Sequence, residues 1–163
     1  MNLHVERLGR GPPVVLVHGS VAGGESTWLE QHPLAERWTL LVVDRPGFGQ
    51  APDVGYVDFE VDASLVAEVL GESAHLVAHS YGGVVSLLAA ARRPEAVRSL
   101  TVIEPPAFGV APGNPAVDGF VRSLMEHWRL DLASRRHSCA ASSSSWAPTS
   151  APRARSRRRW SVE

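Results

Sequence analysis

The sequence contains no lysine, one cysteine (Cys139) and no long apolar run. A single thiol cannot form a disulfide within the chain, which favours a reducing compartment, and we expect a cytoplasmic protein. No run approaches the roughly 20 apolar residues that a membrane-spanning helix needs. The first residues lack the apolar stretch of a secretory signal, so we expect neither secretion nor membrane insertion.

With lysine absent, positive charge comes from arginine alone, and it is unevenly distributed. Residues 1–132 carry nine arginines against sixteen acidic residues, a net charge of −7, whereas residues 133–163 carry seven against one, a net of +6. The second segment also holds nine serines and has no apolar periodicity. Such a composition buries too little apolar surface to offset the entropy of ordering. We therefore predict a domain over residues 1–132 and a disordered Arg/Ser-rich tail over 133–163.

Within the first 132 residues, apolar runs alternate with helical patterns. Runs bounded by turn signals predict buried parallel strands, at residues 14–19, 38–44, 75–80 and 97–104. Apolar residues at helical spacing predict helices at residues 57–71 and 116–130. Residues 26–37 and 81–94 are also predicted to be helical, the second ending at Pro94. The helix over 26–37 begins with a possible Ser/Thr cap, although Pro33 weakens its pattern. The alternation predicts an α/β fold, a three-layer and mostly parallel sheet.

One predicted strand runs directly into a serine. The segment 78–82 reads Ala-His-Ser-Tyr-Gly, a G-x-S-x-G pattern with alanine in the first glycine position, and a helix follows. A nucleophilic serine needs such a sharp strand-to-helix turn, with small neighbours and a helix amino terminus beneath the developing charge. The motif indicates that Ser80 is a nucleophile; the alternative is a serine in a glycine-rich helix start.

Three motifs in the expected order carry a family resemblance: "VLVHGS", "VVDRPGFGQA" and "HLVAHSYGG". Over about residues 1–130 the chain resembles the α/β-hydrolase superfamily, and within it small esterase-like members. The resemblance implies that Ser80 is the nucleophile and that the backbone N–H groups of Ser20 and Tyr81 form the oxyanion hole. The sequence shows no cluster of metal ligands, so we expect no metal and no cofactor.

The resemblance also implies structural roles for residues around the strand-to-helix turn at Ser80. His18 and His79 precede the reactive turn and are expected to shape its loops rather than act as bases. Gly19 and Gly82 belong to the same loops. Asp44 is expected to stabilise the turn that follows its strand.

For the other two members of a catalytic triad, the sequence offers a candidate acid but no assigned histidine. Glu104 ends the predicted strand that follows the helix after Ser80, and some α/β-hydrolases place the acid of the triad there. The alternative is a strand-end carboxylate that faces the pocket. The family histidine follows the acid near the carboxyl terminus. After Glu104 the chain offers only His127, in a predicted helix, and His137, in the tail. Neither matches the family position, so neither is assigned as the base.

The predicted sheet also lacks the last strands of the family fold. GC-rich codons for the tail, shifted by one frame, can encode an amphipathic helix-like segment. We therefore predict a frameshift near residue 132, which would leave a truncated hydrolase. The competing interpretation is an RNA- or membrane-binding arm, because "RARSRRRW" is basic and carries an aromatic residue. We expect neither nucleic acid nor membrane as a partner.

The function that the resemblance implies is hydrolysis of an ester or related acyl bond in a small-molecule substrate. Without its histidine, we expect this chain to be impaired. A non-catalytic α/β-hydrolase-like binding protein and a non-functional truncated product are the alternatives. A serine nucleophile argues against epoxide and haloalkane substrates, and the sequence leaves the particular substrate and the oligomeric state open.

Overall fold

The computed structural model describes residues 3–53 and 57–126. Its strands are β1 (His4–Leu8), β2 (Pro13–Val17), β3 (Thr39–Asp44), β4 (Ala74–His79) and β5 (Val97–Ile103). Its helices are α1 (Gly24–Trp28), α2 (Phe59–Val69), α3 (Tyr81–Arg92) and α4 (115–126). Short 3₁₀ segments lie at Leu29–Glu36, Pro94–Ala96 and Phe108–Val110. The predicted tail over 133–163, His127 and His137 lie outside the described residues.

The five strands form one sheet in the order β1-β3-β2-β4-β5. Neighbouring strands from β3 to β5 run parallel, and β1 pairs antiparallel with β3 at the edge. Helical segments connect the parallel strands, as parallel pairing requires. The predicted three-layer, mostly parallel architecture is confirmed. Within the described residues, no strand follows β5.

Alternate residues of the central strand β2 face opposite layers. Val15 and Val17 are fully buried in a core that includes Val66 of α2 and Val85 of α3. Leu16 points to the other face. That face carries a smaller core, in which the buried residues are Leu16, Trp28, Leu40 and Val42. The larger core therefore fixes α2 and α3 on one side of the sheet, directly beneath the end of β4.

Helix α2 begins and ends at recognisable caps. The Asp58 carboxylate accepts hydrogen bonds from the N–H groups of Glu60 at 2.8 Å and Val61 at 3.2 Å. These bonds satisfy donors that have no partner inside the helix. At the other end Gly71 has φ +60°, a left-handed conformation that glycine adopts without steric cost. The predicted helix over 57–71 and its glycine stop are confirmed.

The predicted helix over 26–37 is wrong in type and in its cap. The helix begins earlier, with Gly23 as its N-cap, and Ser26 lies inside it with its hydroxyl on the Gly23 carbonyl at 3.3 Å. After five residues the chain continues as a 3₁₀ segment that contains Pro33. Proline has no N–H to donate and its ring clashes with the carbonyl four residues earlier, so an α-helix cannot continue through it.

The carboxyl-terminal unit begins at Ala111, and its described part is dominated by α4. The Asn114 side chain caps this helix by accepting from the N–H of Ala116 at 3.0 Å and of Val117 at 3.4 Å. The predicted helix over 116–130 agrees with the structure as far as residue 126. Each helix in the described part of the chain is too short or too polar to cross a lipid bilayer.

Candidate active site

Ser80 occupies the junction between β4 and α3. Its φ of 52° and ψ of −123° lie in a region that residues with a Cβ rarely adopt. Its N–H donates to the Ile103 carbonyl at 2.8 Å, and its carbonyl accepts from the Gly83 N–H at 2.8 Å. The serine is thus held between the neighbouring strand and the first turn of α3. The strand–turn–helix context that the motif requires is present.

Glycines around the turn permit a close approach of two loops. A Cβ on Gly82 would lie 2.4 Å from the His18 carbonyl oxygen and 2.7 Å from that of Val17. A Cβ on Gly19 would lie 3.1 Å from the Ser80 Cβ. The two contacts at Gly82 are too short for a methyl group unless the backbone moves, and the contact at Gly19 would be tight. The absence of side chains therefore allows the end of β2 to lie directly against the start of α3.

The two loops enclose a cavity of about 140 Å³. Its walls are Gly19, Ser20, Val21, Ala22, Thr27, His79 and Ser80. Ser20, predicted as an oxyanion-hole residue, is exposed and lies in the same cavity as Ser80. Tyr81 follows as the first residue of α3, and the N–H groups of a helix's first turn have no partner inside their own helix.

His18 is fully buried and both of its ring nitrogens are engaged. Nδ1 lies 2.7 Å from the Gly19 carbonyl, and Nε2 accepts from the backbone N–H of Arg45 at 3.0 Å. This pattern fixes the neutral tautomer with the proton on Nδ1. Burial, followed by the nearby Arg45 charge, lowers the pKa of His18 to about 4. Neither nitrogen is left for Ser80.

Asp44 organises the turn after β3, as the sequence resemblance implies. Its carboxylate accepts from the Gly24 N–H at 2.7 Å and the Gln50 N–H at 3.0 Å, and His4 Nδ1 lies 3.3 Å away. Burial alone would raise the pKa of Asp44, but these hydrogen bonds outweigh it and hold the pKa below its usual value. Gly49 is required beside it, because a Cβ there would lie 2.1 Å from the carboxylate.

A buried ion pair beside this turn was not predicted from the sequence. The Arg45 side chain is 1% exposed and donates from Nη1 to Asp62 Oδ2 at 2.9 Å. Burial raises the pKa of Asp62 above its ordinary value, and Arg45 offsets only part of that effect. A signal was available: Asp62 lies four residues before Val66 on the buried face of α2. A carboxylate in that position needs a buried cation.

The Arg45 guanidinium also contacts the faces of two aromatic rings. Its Cζ is 4.1 Å from the centroid of Tyr81 and 4.7 Å from that of Phe48. Phe59 stacks on the Tyr81 ring at 4.1 Å. Burial raises the pKa of the Tyr81 hydroxyl, so the ring stays neutral against the cation. The first residue after Ser80 is therefore clamped by stacking.

The remaining predicted site residues differ in their placement. His79 is half-buried and lines the cavity beside Ser80. Glu104 is exposed, with φ 50°, directly after the Ile103 carbonyl that accepts from Ser80. Glu104 is not a lining residue of that cavity. Its backbone is thus adjacent to the turn, while its part in the chemistry stays a prediction.

A second cavity, of about 320 Å³, lies on the opposite face of the sheet from α2 and α3. Its lining is Val14, Leu16, Gln31, Leu34, Trp38, Leu40, His75, Val77 and Ser99. It shares no residue with the cavity at Ser80. The smaller cavity is the one that combines a strained serine, a glycine loop and a helix amino terminus, so we place the candidate active site there.

Comparison with known proteins agrees with this geometry. The model of the alpha/beta hydrolase family matches residues 14–162. The pimeloyl-[acyl-carrier protein] methyl ester esterase of Aeromonas hydrophila is 40% identical over 123 residues, which are 69% of this chain and 48% of that protein. The enzyme of the same name from Methylococcus capsulatus is 39% identical over 145 residues, 82% of this chain and 56% of the relative.

Among solved structures, an alpha/beta hydrolase from Sphaerobacter thermophilus is 34% identical with a TM-score of 0.57, covering 64% of this chain and 41% of that one. The chain spans about half the length of the curated relatives that it matches. The matched range of the family model extends into the Arg/Ser-rich segment. The domain boundary at residue 132 therefore stays a prediction.

Proposed function

Because the chain belongs to the alpha/beta hydrolase family, we propose that its chemistry is hydrolysis of an acyl ester by attack of the Ser80 hydroxyl on the carbonyl carbon. The observation that carries the proposal is the conformation of Ser80. A serine at φ 52° and ψ −123° costs free energy, and an ordinary helix start does not require this conformation. Such strain presents the hydroxyl on the wall of a cavity.

The backbone N–H groups of Ser20 and Tyr81 are proposed to stabilise the oxyanion that forms when Ser80 attacks. Ser20 lines the same cavity as Ser80, and Tyr81 lies at the amino terminus of α3. The helix dipole places partial positive charge at that end. Removal of one oxyanion-hole donor typically costs about 3–4 kcal/mol of transition-state stabilisation.

Of the groups that would transfer protons, we propose only the acid of the triad. Glu104 is the candidate acid, since its backbone follows the residue that bonds Ser80. No base is assigned: both nitrogens of His18 are occupied, and His127 and His137 lie outside the described residues. Loss of the histidine in a serine triad lowers turnover by roughly a million-fold.

The substrate class is proposed from the relatives and from the size of the site. Two of the similar proteins are named as methyl ester esterases that act on a pimeloyl group carried by acyl-carrier protein. The cavity of about 140 Å³ holds both polar and apolar lining residues, including Thr27 and Val21. We propose a small acyl ester whose alcohol portion is also small, such as a methyl ester.

The experiment is active-site labelling of the full chain with a fluorophosphonate, followed by peptide mass spectrometry. We expect a single adduct on Ser80 and none in Ser80→Ala. Hydrolysis of short p-nitrophenyl esters is then measured with both proteins, and we expect weak activity that Ser80→Ala removes. Glu104→Gln lowers the labelling rate if Glu104 is the acid.

The matched control is Ser86→Ala, which removes a fully buried serine hydroxyl from α3 that does not line the cavity. This variant is expected to label at the parental rate. A folded chain that binds acyl esters without labelling at Ser80 would favour a non-catalytic binding protein. A chain that aggregates on purification would instead favour a non-functional truncated product.

A further inference from the structure

We propose that Arg45 is a positioning residue that orients both donors of the oxyanion hole through one guanidinium group. This inference rests on the proposed function, because it assigns the residue that holds the proposed Ser20 and Tyr81 donors in place. Arg45 is not a catalytic residue: it does not line the cavity at Ser80.

The first donor is oriented through its own peptide plane. Arg45 Nη2 donates to the Gly19 carbonyl at 2.7 Å, and His18 Nδ1 donates to the same oxygen at 2.7 Å. The described chain has no cis peptide bond. In a trans peptide the C=O and the following N–H point in opposite directions. Holding the Gly19 oxygen towards Arg45 therefore turns the Ser20 N–H away from Arg45. Because Gly19 and Ser20 line the cavity and Arg45 does not, we infer that this N–H faces the cavity.

A second bond from the same side chain supports this orientation. Arg45 Nε donates to the His18 carbonyl at 3.3 Å, while the Arg45 backbone N–H holds the His18 ring at 3.0 Å. Two successive carbonyls of the loop, those of His18 and Gly19, are thus bound to one planar group. Fixing both removes most of the rotational freedom of the peptide that carries the first donor.

The second donor is held by stacking. The guanidinium lies 4.1 Å from the centroid of the Tyr81 ring, and Tyr81 supplies the second proposed N–H. A second ring, that of Phe48, has its centroid 4.7 Å from the same group. Arginine stacks on aromatic faces and donates in the plane of its fork at the same time. The group that turns the Ser20 peptide therefore also limits movement of the residue after Ser80.

Asp62 neutralises the buried charge of Arg45, so a test variant must either remove both charges or keep both. Removal of one partner from a buried pair leaves an uncompensated charge and destabilises strongly. Arg45→Gln/Asp62→Asn removes both charges together and keeps polar groups in both places. Arg45→Lys keeps the charge but provides a point donor instead of a planar fork.

The matched control is Arg93→Gln. Arg93 also donates to two backbone carbonyls, those of Ala67 at 3.1 Å and Gly71 at 2.8 Å, but at the far end of α2. Its loss removes the same kind of interaction without touching the site. Thermal unfolding of each variant is recorded first, so that kinetic constants refer to folded protein.

The functional measurement separates binding of a fluorophosphonate, KI, from the rate constant of its reaction with Ser80, kinact. Loss of one oxyanion-hole donor lowers a rate by about 100-fold or more. We expect the double variant and Arg45→Lys each to lower kinact by about 10- to 100-fold with KI changed less than about threefold. Arg93→Gln keeps the parental kinact. A merely structural role would reduce the amount of reactive protein and leave kinact unchanged.

Crystal structures of the parent and the double variant test the inference independently of labelling. We expect the Gly19–Ser20 peptide to rotate, or to occupy more than one orientation, when Arg45 is replaced. If the parent does not label at Ser80, the proposed function fails and this structural comparison alone decides the positioning role. An unchanged peptide in the double variant, or a parental kinact in the folded variants, overturns it.

Discussion

At Ser80 the backbone holds a conformation with positive φ, φ 52° and ψ −123°, that strains any residue with a Cβ. Strain of this kind costs of order 1–3 kcal/mol, and glycine relieves it at an entropic cost of about 0.5–1 kcal/mol. We expect Ser80→Gly to have a free energy of unfolding about 1 kcal/mol above that of Ser80→Ala, as measured by urea denaturation. Neither variant labels, so the pair separates strain from chemistry. Equal stabilities would mean that the turn stores no strain.

His18 makes stability depend on pH. Its pKa is about 4 in the folded chain against 6.5 when exposed. The unfolded state therefore takes up a proton first as pH falls, and stability decreases between about pH 6.5 and 4 by on the order of 3 kcal/mol. Urea unfolding across this range should show the decrease in the parent and a flatter profile in His18→Gln. The raised pKa of Asp62 acts in the opposite sense but is common to both proteins. If the parent and His18→Gln lost stability equally as pH falls, His18 would not be the source of the pH dependence.

The residues of the site differ in how far local sequence could predict them. Ser80 was found because a strand, a serine and two glycines are consecutive, and the turn depends on those neighbours alone. The pair of Arg45 and Asp62 was not found because its members lie 17 positions apart. No local pattern pairs them; their contact exists only once α2 packs beneath the sheet. The orientation of the Ser20 peptide depends on the same long-range packing.

At the scale of elements, the start of α3 lies against the end of β2 through Gly82. A Cβ there would lie 2.4 Å from the His18 carbonyl oxygen, so Gly82→Ala must displace backbone. We expect a loss of about 1–3 kcal/mol of unfolding free energy, the usual cost of overpacking. Gly109→Ala is the control, because a Cβ at that position meets nothing within 4 Å. It is expected to change stability by less than about 0.5 kcal/mol. Similar effects for the two variants would show that the contact at Gly82 is not tight.

The elements that were predicted well are those whose pattern agrees with their packing. The strands β2, β3 and β4 are apolar and largely buried inside the sheet, whereas β5 is mostly exposed and carries polar residues such as Arg98. The segment over 26–37 is predicted as one helix that begins at a Ser/Thr cap. Its real form depends on Pro33, and on Gly24, where a Cβ would lie 2.6 Å from the Val43 carbonyl oxygen. The constraint at Gly24 comes from β3, so the sequence of the segment alone does not indicate it.

At the largest scale, the described residues of the unit Met1–Val110 cover the two faces of the sheet unequally. One face carries α2 and α3 and the larger buried core. The other carries α1, a 3₁₀ segment and a cavity of about 320 Å³. The carboxyl ends of β2 and β4, where Ser80 lies, are supported mainly from the first face. The site should therefore respond more strongly to changes beneath α3 than to changes beside the second cavity.

Two adjacent valines in β2 test this inequality with the same chemical change. Val15 is fully buried in the larger core, whereas Val14 is partly buried and lines the second cavity. Val15→Ala removes two methyl groups from a closed core, which costs about 2–3 kcal/mol from lost burial and the space left behind. Val14→Ala only enlarges an existing space, so its cost should stay below about 1 kcal/mol. Urea unfolding of both variants measures the difference, and equal losses would mean that the second face is covered as completely as the first.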